Sequence, residues 1–183
     1  MKKWKRISSK YAFDNPWMRV RQDVVELPNG KILNDYFVYE EGDVAMVVPI
    51  TENGEFVFIK QYKHASQDIM IEFPTGYVEK NETPLQAATR ELKEETGYTS
   101  GEITPLAQIV NAPTKVVSDI YVFLGLNSKL TFHQTDNQDE NENIELLVLP
   151  FQKAHEMIKS GQIKVSGTVT SFYLASEKLG LIK

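Results

Sequence analysis

Residues 76–98, which read GYVEKNETPLQAATRELKEETGY, contain the clearest helix signal in the chain. The second part of this stretch predicts a helix, because Thr83 is a good N-terminal cap, Pro84 suits the first helical position and Gln86 completes a capping box. Gly97 supplies the C-terminal stop. Three apolar residues form a stripe at helical spacing along this helix: Leu85, Ala88 and Leu92.

Three glutamates share the polar side of the predicted helix. Glu91, Glu94 and Glu95 stand at i, i+3 and i+4, so their like charges repel by a few tenths of a kcal/mol per pair. They also lie in the last turns, where the helix dipole favours cations. A divalent metal removes both penalties, since carboxylate oxygens are the ligands that Mg²⁺ and Mn²⁺ prefer. Taken alone, however, the three glutamates favour a solvated acidic face with Arg90 and Lys93 nearby.

The whole stretch changes that balance, because its spacing resembles the Nudix box. The matching residues are Gly76, Glu82, Arg90, Glu91, Leu92, Glu94, Glu95 and Gly97. Tyr98 departs from the pattern by filling the final aliphatic position. Seven fixed identities give a chance match of roughly one in 10⁸ per start position at ordinary residue frequencies. The metal-binding interpretation is therefore the better one.

The Nudix resemblance implies a role for each polar residue of the stretch. It implies that Mg²⁺, with Mn²⁺ as the alternative, is held by Glu91 and Glu95, assisted by Glu94 and by the backbone carbonyl of Thr75. Arg90 is expected to serve catalysis by orienting these carboxylates, and Glu82 to support it. Bound metal would neutralise the phosphates and lower the pKa of the attacking water.

The residues before the box predict β-strands. Strands at 20–27 and 36–39 flank Asn29-Gly30, which predicts a hairpin with a type I′ turn. A second predicted hairpin joins strands 45–50 and 56–62. Because a two-stranded ribbon is not stable alone, residues 1–42 are expected to be an N-terminal antiparallel β extension that lies on the core or on another subunit. Residues 43–183 would then form the Nudix hydrolase domain.

The residues after the box alternate between strands and helices. The predicted strands cover 106–111, 120–124 and 144–149, and the predicted helices cover 151–159 and 168–179. Residues 134–143 are polar without an apolar period and predict a loop. Together the elements predict an α/β fold, with a mixed β-sheet sandwiched between helices (α/β/α).

From about residue 10 to 180, the chain resembles the ADP-ribose pyrophosphatase and nucleoside-diphosphate-sugar hydrolase branch of the Nudix family. That branch carries N-terminal strands that pair between subunits, which implies a homodimer. Its acidic loop supplies a glutamate as catalytic base or further ligand; here Glu142 is the candidate ligand and Glu140 the candidate base, and the two roles could be exchanged. The candidate substrate contacts are Arg19, Arg21, Tyr36, Lys63, Glu72, Gly76 and Pro113. Taken singly, the N-terminal candidates fit packing or a solvated edge better, and the three histidines receive no role.

Composition excludes several other classes of function. A net charge of −5 with a pI near 5.3 argues against a nucleic-acid surface, and the basic residues near the N-terminus predict a solvated leader. The chain has no cysteine, so disulfides, thiolate metal sites and a cysteine nucleophile are excluded. No apolar run approaches a membrane span, and the first ten residues lack a signal-peptide core. A cytoplasmic protein with no membrane partner is expected.

The predicted reaction is hydrolysis of a nucleoside diphosphate sugar, such as ADP-ribose, ADP-glucose or GDP-mannose, to a nucleoside monophosphate and a sugar phosphate. One alternative is a pyrophosphatase that cleans the nucleoside triphosphate pool, although such proteins usually lack the N-terminal ribbon. The other alternative is a non-catalytic Nudix-fold nucleotide sensor, which degraded box glutamates would favour. The box glutamates are intact.

Overall fold

The computed structural model describes residues 1–131 and 143–182, which form two compact units. The first unit contains Met1–Gly42 together with Val110–Asp119. The second contains Asp43–Ile109 and the described residues from Ile120 onward. The chain therefore passes from one unit to the other three times.

The described residues form twelve β-strands, three α-helices and a short 3₁₀ turn at His64–Ser66. In chain order the strands are β1 (Lys5–Asn15), β2 (Met18–Glu26), β3 (Ile32–Glu40), β4 (Val44–Thr51), β5 (Phe56–Lys63), β6 (Asp68–Glu72), β7 (Thr75–Tyr77), β8 (Tyr98–Thr99), β9 (Glu102–Ile109), β10 (Val116–Val117), β11 (Ile120–Leu130) and β12 (Ile144–Leu149). The helices are α1 (Pro84–Thr96), α2 (Phe151–Lys159) and α3 (Ser166–Lys178). In the parts of the chain that the structure covers, no helix has the length and apolar character needed to cross a bilayer.

The first unit is a four-stranded sheet in the order β1-β2-β3-β10. Strands β1, β2 and β3 pair antiparallel, whereas β10 pairs parallel to β3, with Val116 opposite Tyr39. The predicted solvated leader is wrong in part, because residues from Lys5 onward belong to β1. Its side chains are exposed nevertheless, apart from the half-buried Asn15 at its end.

The predicted hairpin between β2 and β3 is confirmed, but its predicted type I′ turn is wrong. Only Gly30 has a positive φ, of 82°, whereas a type I′ turn needs positive φ at Asn29 as well. The amide of Gly30 donates to the carbonyl of Leu27, and the amide of Leu27 donates to the carbonyl of Lys31, both at 2.9 Å. The longer loop needs one left-handed residue, and glycine supplies it without a steric cost.

The second unit is built on a mixed sheet in the order β12-β5-β4-β11-β8, with β6, β7 and β9 paired at its sides. Strand β4 runs parallel to β11 and antiparallel to β7. Strand β5 runs antiparallel to β6 and β12. The antiparallel pairing of β4 with β7 holds the residues just before and within the box against the central strand.

Helices cover both faces of this sheet. Side chains alternate along β4, so its apolar residues reach both faces and pack against the helices there. Ala45 and Val47 pack with Ala87, Ala88 and Leu92 of α1. On the opposite face, a second cluster joins β4 and β5 to α2 and α3; its members include Met46, Val48, Phe56, Phe58, Ala154, Phe172 and Ala175. The predicted α/β/α arrangement is confirmed in this unit.

Helix α1 has the predicted boundaries. The hydroxyl of Thr83 accepts from the amide of Gln86, the side chain of Gln86 accepts from the amide of Thr83, and Gly97 ends the helix at a φ of 72°. Of the predicted apolar stripe, Ala88 and Leu92 are buried, whereas Leu85 is 41% exposed. Leu85 lies in the first turn of the helix, where it lines an open surface cleft with Pro105.

Candidate active site

The backbone of Thr75 and Gly76 lies directly against helix α1. A Cβ atom at Gly76 would stand 1.8 Å from Oε1 of Glu91, so no side chain fits there while Glu91 keeps its position. One residue earlier, the amide of Thr75 donates to Oε2 of Glu95 at 2.9 Å. The carboxylate of Glu95 is buried, with 7% of the residue exposed. The strand-to-helix connection thus brings two of the predicted ligands to the same backbone segment.

Arg90 holds three carboxylates of the box together. Its Nε and Nη2 donate to the two oxygens of Glu82 at 3.0 and 3.1 Å, while its Nη1 donates to Glu91 at 2.6 Å and to Glu94 at 3.2 Å. Nη2 also donates to the carbonyl of Tyr77 at 3.1 Å. The hydrogen bonds to Glu82, then those to Glu91 and Glu94, raise the pKa of Arg90 above its ordinary value. A permanent cation therefore offsets the repulsion among the glutamates.

Glu82 is the main partner of Arg90 and has a second anchor. Its Oε2 accepts from the amide of Glu79 at 3.1 Å. The hydrogen bond from Arg90, followed by this backbone bond, lowers the pKa of Glu82 below its ordinary value. Glu82 thus stays ionised at neutral pH, in keeping with the supporting position expected for it.

An open cleft of about 550 Å³ runs beside this arrangement in the second unit. The box side contributes Thr75, Gly76, Tyr77, Glu79, Arg90, Glu91 and Glu95. The end of β5 and the turn after it contribute Gln61, Tyr62, Lys63, His64 and Ala65. Lys63 pairs with Glu72 at 3.1 Å, so two of the predicted substrate residues are in contact. The lining combines carboxylates with basic and aromatic side chains, which suits a phosphate-bearing ligand together with a cation.

His64 is a cleft residue to which the sequence assigned no role. It opens the 3₁₀ turn after β5, and Gln67 closes that turn in a left-handed conformation with a φ of 51°. The ring of Tyr62, which is 55% exposed, contacts the His64 ring edge to face at 6.2 Å between centroids. The only sequence signal available was its position next to Lys63.

The chemistry of the donors fits a hard divalent cation. Carboxylates on consecutive turns of α1 and the carbonyl of Thr75 are oxygen donors of the kind that Mg²⁺ and Mn²⁺ take. Over residues 1–131 and 143–182, no three acidic, histidine or cysteine side chains stand close enough to hold a metal ion as they are placed. Arg90 bonds Glu91 and Glu94 in this arrangement. The remaining predicted residues, Glu140 and Glu142, lie outside the described residues.

The predicted contact Arg21 takes part in an ionic network inside the first unit. Its guanidinium donates to both oxygens of Asp23, at 2.8 and 3.1 Å, and to Glu40. Burial of Asp23 alone would raise the pKa of that carboxyl, but hydrogen bonds from Arg21 and Ser9 outweigh it and the pKa is lowered. The hydroxyl of Tyr11 donates to Glu40 at 2.8 Å. These bonds give Arg21 a structural role, and its substrate role stays a prediction.

The other N-terminal candidates also have partners within the first unit. Arg19 pairs with Asp14 at 3.0 Å and lies over the ring of Tyr11 at 4.4 Å. The hydroxyl of Tyr36 donates to the carbonyl of Thr114 at 2.7 Å. Pro113 is exposed next to Thr114, in the segment that belongs to this unit. Lys63, Glu72 and Gly76, by contrast, belong to the second unit.

Comparison with known proteins identifies the class. The family model of the NUDIX domain matches residues 41–166, and that of the nucleoside diphosphate sugar hydrolase N-terminal domain matches residues 4–39. The chain belongs to the Nudix family, whose hydrolases generally use divalent metals. The N-terminal match narrows the class further, to Nudix pyrophosphohydrolases that act on the diphosphate bond of nucleoside diphosphate sugars.

Three curated relatives and one solved structure match most of the chain. The ADP-ribose pyrophosphatase of Bacillus subtilis is 30% identical, over 87% of this chain and 85% of its own length. The methanol dehydrogenase activator of Bacillus methanolicus is 33% identical, over 90% and 88%. The GDP-mannose pyrophosphatase of Escherichia coli is 32% identical, over 72% of each. A solved structure of an ADP compounds hydrolase shares the fold, with a TM-score of 0.84 and 20% identity over 98% of this chain and 96% of that one.

Proposed function

We propose that the chain hydrolyses ADP-ribose or a similar nucleoside diphosphate sugar in the cleft beside α1, with Mg²⁺ as its cofactor and Mn²⁺ as a substitute. One observation carries the proposal. Glu91 lies against the backbone of Gly76, Glu95 accepts from the amide of Thr75, and these residues line one cleft together with Lys63. The family and the pyrophosphatases among its relatives support the reaction.

Glu91, Glu95, Glu94 and the carbonyl of Thr75 would hold the metal, with Glu142 as a further ligand. When bound, the metal neutralises the phosphate oxygens and lowers the pKa of the water that attacks. The residues of the chain do the remaining work. Arg90 keeps Glu91 and Glu94 oriented through its bonds of 2.6 and 3.2 Å.

Lys63 is proposed to bind a phosphate oxygen of the substrate. Its Nζ is held by Glu72 at 3.1 Å, which fixes the ammonium group at the cleft wall. Glu140 would act as the base, with Glu142 as the alternative. The base takes a proton from water, the water oxygen bonds to one phosphorus, and the bond from that phosphorus to the bridging oxygen breaks. The products are a nucleoside monophosphate and a sugar phosphate.

A substrate panel tests this proposal. ADP-ribose, ADP-glucose, GDP-mannose and nucleoside triphosphates are supplied in turn with EDTA, Mg²⁺ or Mn²⁺, and the nucleotide products are quantified by anion-exchange chromatography. We expect metal-dependent cleavage of ADP-ribose or another nucleotide sugar, and none with EDTA. Cleavage of triphosphates alone would support the pool-cleaning alternative. Tight nucleotide binding without cleavage of any compound would support the sensor alternative.

We also propose that the first unit forms a homodimer through its strands. Within residues 1–42 the structure buries two hydrophobic side chains, Val25 and Val38. Large hydrophobic side chains of the same segment are exposed: Trp4, Ile7, Phe13, Trp17, Met18, Ile32 and Phe37. Exposed apolar surface of this extent favours a partner that covers it. A second copy of this chain is the proposed partner, because the branch that the chain resembles pairs its N-terminal strands between subunits.

Sedimentation of the full chain tests the dimer. The wild-type protein should sediment as a dimer and Phe13→Asp as a monomer. Leu130→Asp, at a residue that is 57% exposed in the second unit, is the matched control and should stay dimeric. A monomeric wild-type protein would contradict the proposal. The cytoplasmic location stays a prediction.

A further inference from the structure

We propose that Thr168, in the first turn of helix α3, is a positioning residue for the backbone segment that would hold the metal. The inference rests on the proposed function, because it assigns the carbonyl of Thr75 and the carboxylate of Glu95 to that metal. Thr168 is fully buried. It lies seventy positions after Tyr98, the last residue of the box, and so outside the motif that defines the family.

Three consecutive hydrogen bonds connect Thr168 to the carboxylate of Glu95. The amide of Phe73 donates to Oγ1 of Thr168 at 3.3 Å. The hydroxyl of Thr75 donates to the carbonyl of Phe73 at 2.7 Å. The amide of Thr75 then donates to Oε2 of Glu95 at 2.9 Å. Thr168 thus holds Phe73, Phe73 holds Thr75, and Thr75 contacts the carboxylate of Glu95.

Close packing keeps α3 in the place that this connection requires. A Cβ atom at Gly167 would already stand 3.2 Å from Cε of Met46, and the hydroxyl of Ser171 lies 3.3 Å from Sδ of Met46. Met46 is the residue opposite Thr75 in the β4–β7 pairing. Helix α3 therefore docks on the strand that pairs with Thr75 and also bonds the segment that leads to it.

Loss of the Thr168 hydroxyl removes the acceptor for the buried amide of Phe73. We expect the segment from Phe73 to Thr75 to relax, so that the Thr75 carbonyl no longer stands at a fixed distance from Glu95. Outer partners that orient metal ligands typically change metal affinity or activity by 10- to 100-fold, and Thr168 acts through two intervening bonds. The expected effect of Thr168→Val is therefore at the lower end, about tenfold weaker binding of Mn²⁺.

The test measures the dissociation constant of Mn²⁺ without substrate, from the electron paramagnetic resonance signal of the free ion. Thr168→Val should bind Mn²⁺ about tenfold more weakly than wild type, and Thr168→Ser, which keeps the hydroxyl, should restore most of the affinity. Ser176→Ala is the matched control. Ser176 is a buried hydroxyl of the same helix that donates to the carbonyl of Phe172 at 2.7 Å, away from the box segment.

Wild-type affinity in Thr168→Val would overturn the inference, and so would an equal loss in Ser176→Ala, because that would be a general packing effect. If Thr168→Val does not fold, Thr75→Val removes the middle bond from a partly exposed side chain. It must weaken Mn²⁺ binding in the same direction, and an unchanged constant overturns the inference. A wild-type protein that binds no Mn²⁺ would instead refute the proposed function, and the role of Thr168 with it.

Discussion

Replacing Gly76 with alanine tests the close approach between the box backbone and Glu91. The added methyl group would stand 1.8 Å from Oε1 of Glu91, whereas real Cβ contacts stay beyond about 3.0 Å, so the carboxylate must withdraw by at least about 1.2 Å. A misplacement of about 1 Å can cost about 100-fold in rate. We therefore expect kcat/KM to fall about 100-fold, which corresponds to about 2.7 kcal/mol of activation free energy.

The fold should tolerate the same change. The backbone at Gly76 does not need a positive φ, and the group that must move is the flexible end of Glu91. Losing the bond between Arg90 and Glu91 costs about 1 kcal/mol, and alanine regains about 0.4–1 kcal/mol by restricting the unfolded chain. The melting temperature should thus change by no more than about 4 °C.

The assay pairs metal-dependent hydrolysis of the best substrate in the panel with thermal unfolding of the same preparation. Gly101→Ala is the matched control, because a Cβ atom there meets the Cβ of Asn127 at an ordinary 3.6 Å. The control should keep wild-type activity. Near-normal activity in Gly76→Ala, or a loss of stability that accounts for the lost activity, would refute the reasoning.

Three further outcomes are expected. Glu95→Gln keeps an acceptor for the amide of Thr75 but removes the negative charge. Turnover should therefore fall more than about 100-fold, with little change in the urea concentration at the unfolding midpoint. Retained turnover would contradict the role of Glu95 as a metal ligand. In Arg90→Lys, the single ammonium group cannot make the paired bonds to Glu82 and still reach Glu91. We therefore expect kcat/KM to fall about tenfold. Wild-type activity in this variant would count against the role of Arg90 in orienting the carboxylates. The pKa of Asp23 is lower in the folded chain than its ordinary value of 3.8, so at acid pH the unfolded chain binds more protons than the folded chain. The stability that ionised Asp23 contributes is therefore present above pH 3.8 and is lost as the pH falls further. The difference in melting temperature between wild type and Asp23→Asn should shrink as the pH is lowered from about 6 to about 3, and a constant difference would contradict this.

Local signals made much of the fold predictable. The capping box at Thr83 and the glycine at residue 97 placed α1 correctly, and the predicted bounds of α2 and β12 are the observed ones. In each case the information lies within a few residues of the element. The short strand β10 gave no such signal, because Val116 pairs with Tyr39 across a large separation in sequence.

The candidate site divides in the same way. The box motif identified the glutamates of α1, and the resemblance implied the carbonyl of Thr75. The sequence does not give the distance between Gly76 and Glu91 or the paired hydrogen bonds from Arg90 to Glu82, because both depend on how β7 packs against α1. The position of His64 in the cleft depends on a turn that ends at Gln67 in a left-handed conformation. The sequence does not predict this conformation, because residues other than glycine rarely adopt it.

The parallel pairing of β10 with β3 has a consequence for synthesis of the protein. A nascent chain that has emerged only to Gly42 lacks the segment whose carbonyls receive the hydroxyl of Tyr36 and the amide of Tyr39. Until residue 117 is translated, β3 presents an open edge of unpaired backbone groups, the kind of edge that recruits other chains. Residues 1–42 therefore complete their sheet only after the segment up to residue 117 has been made, and a fragment ending at residue 42 should aggregate.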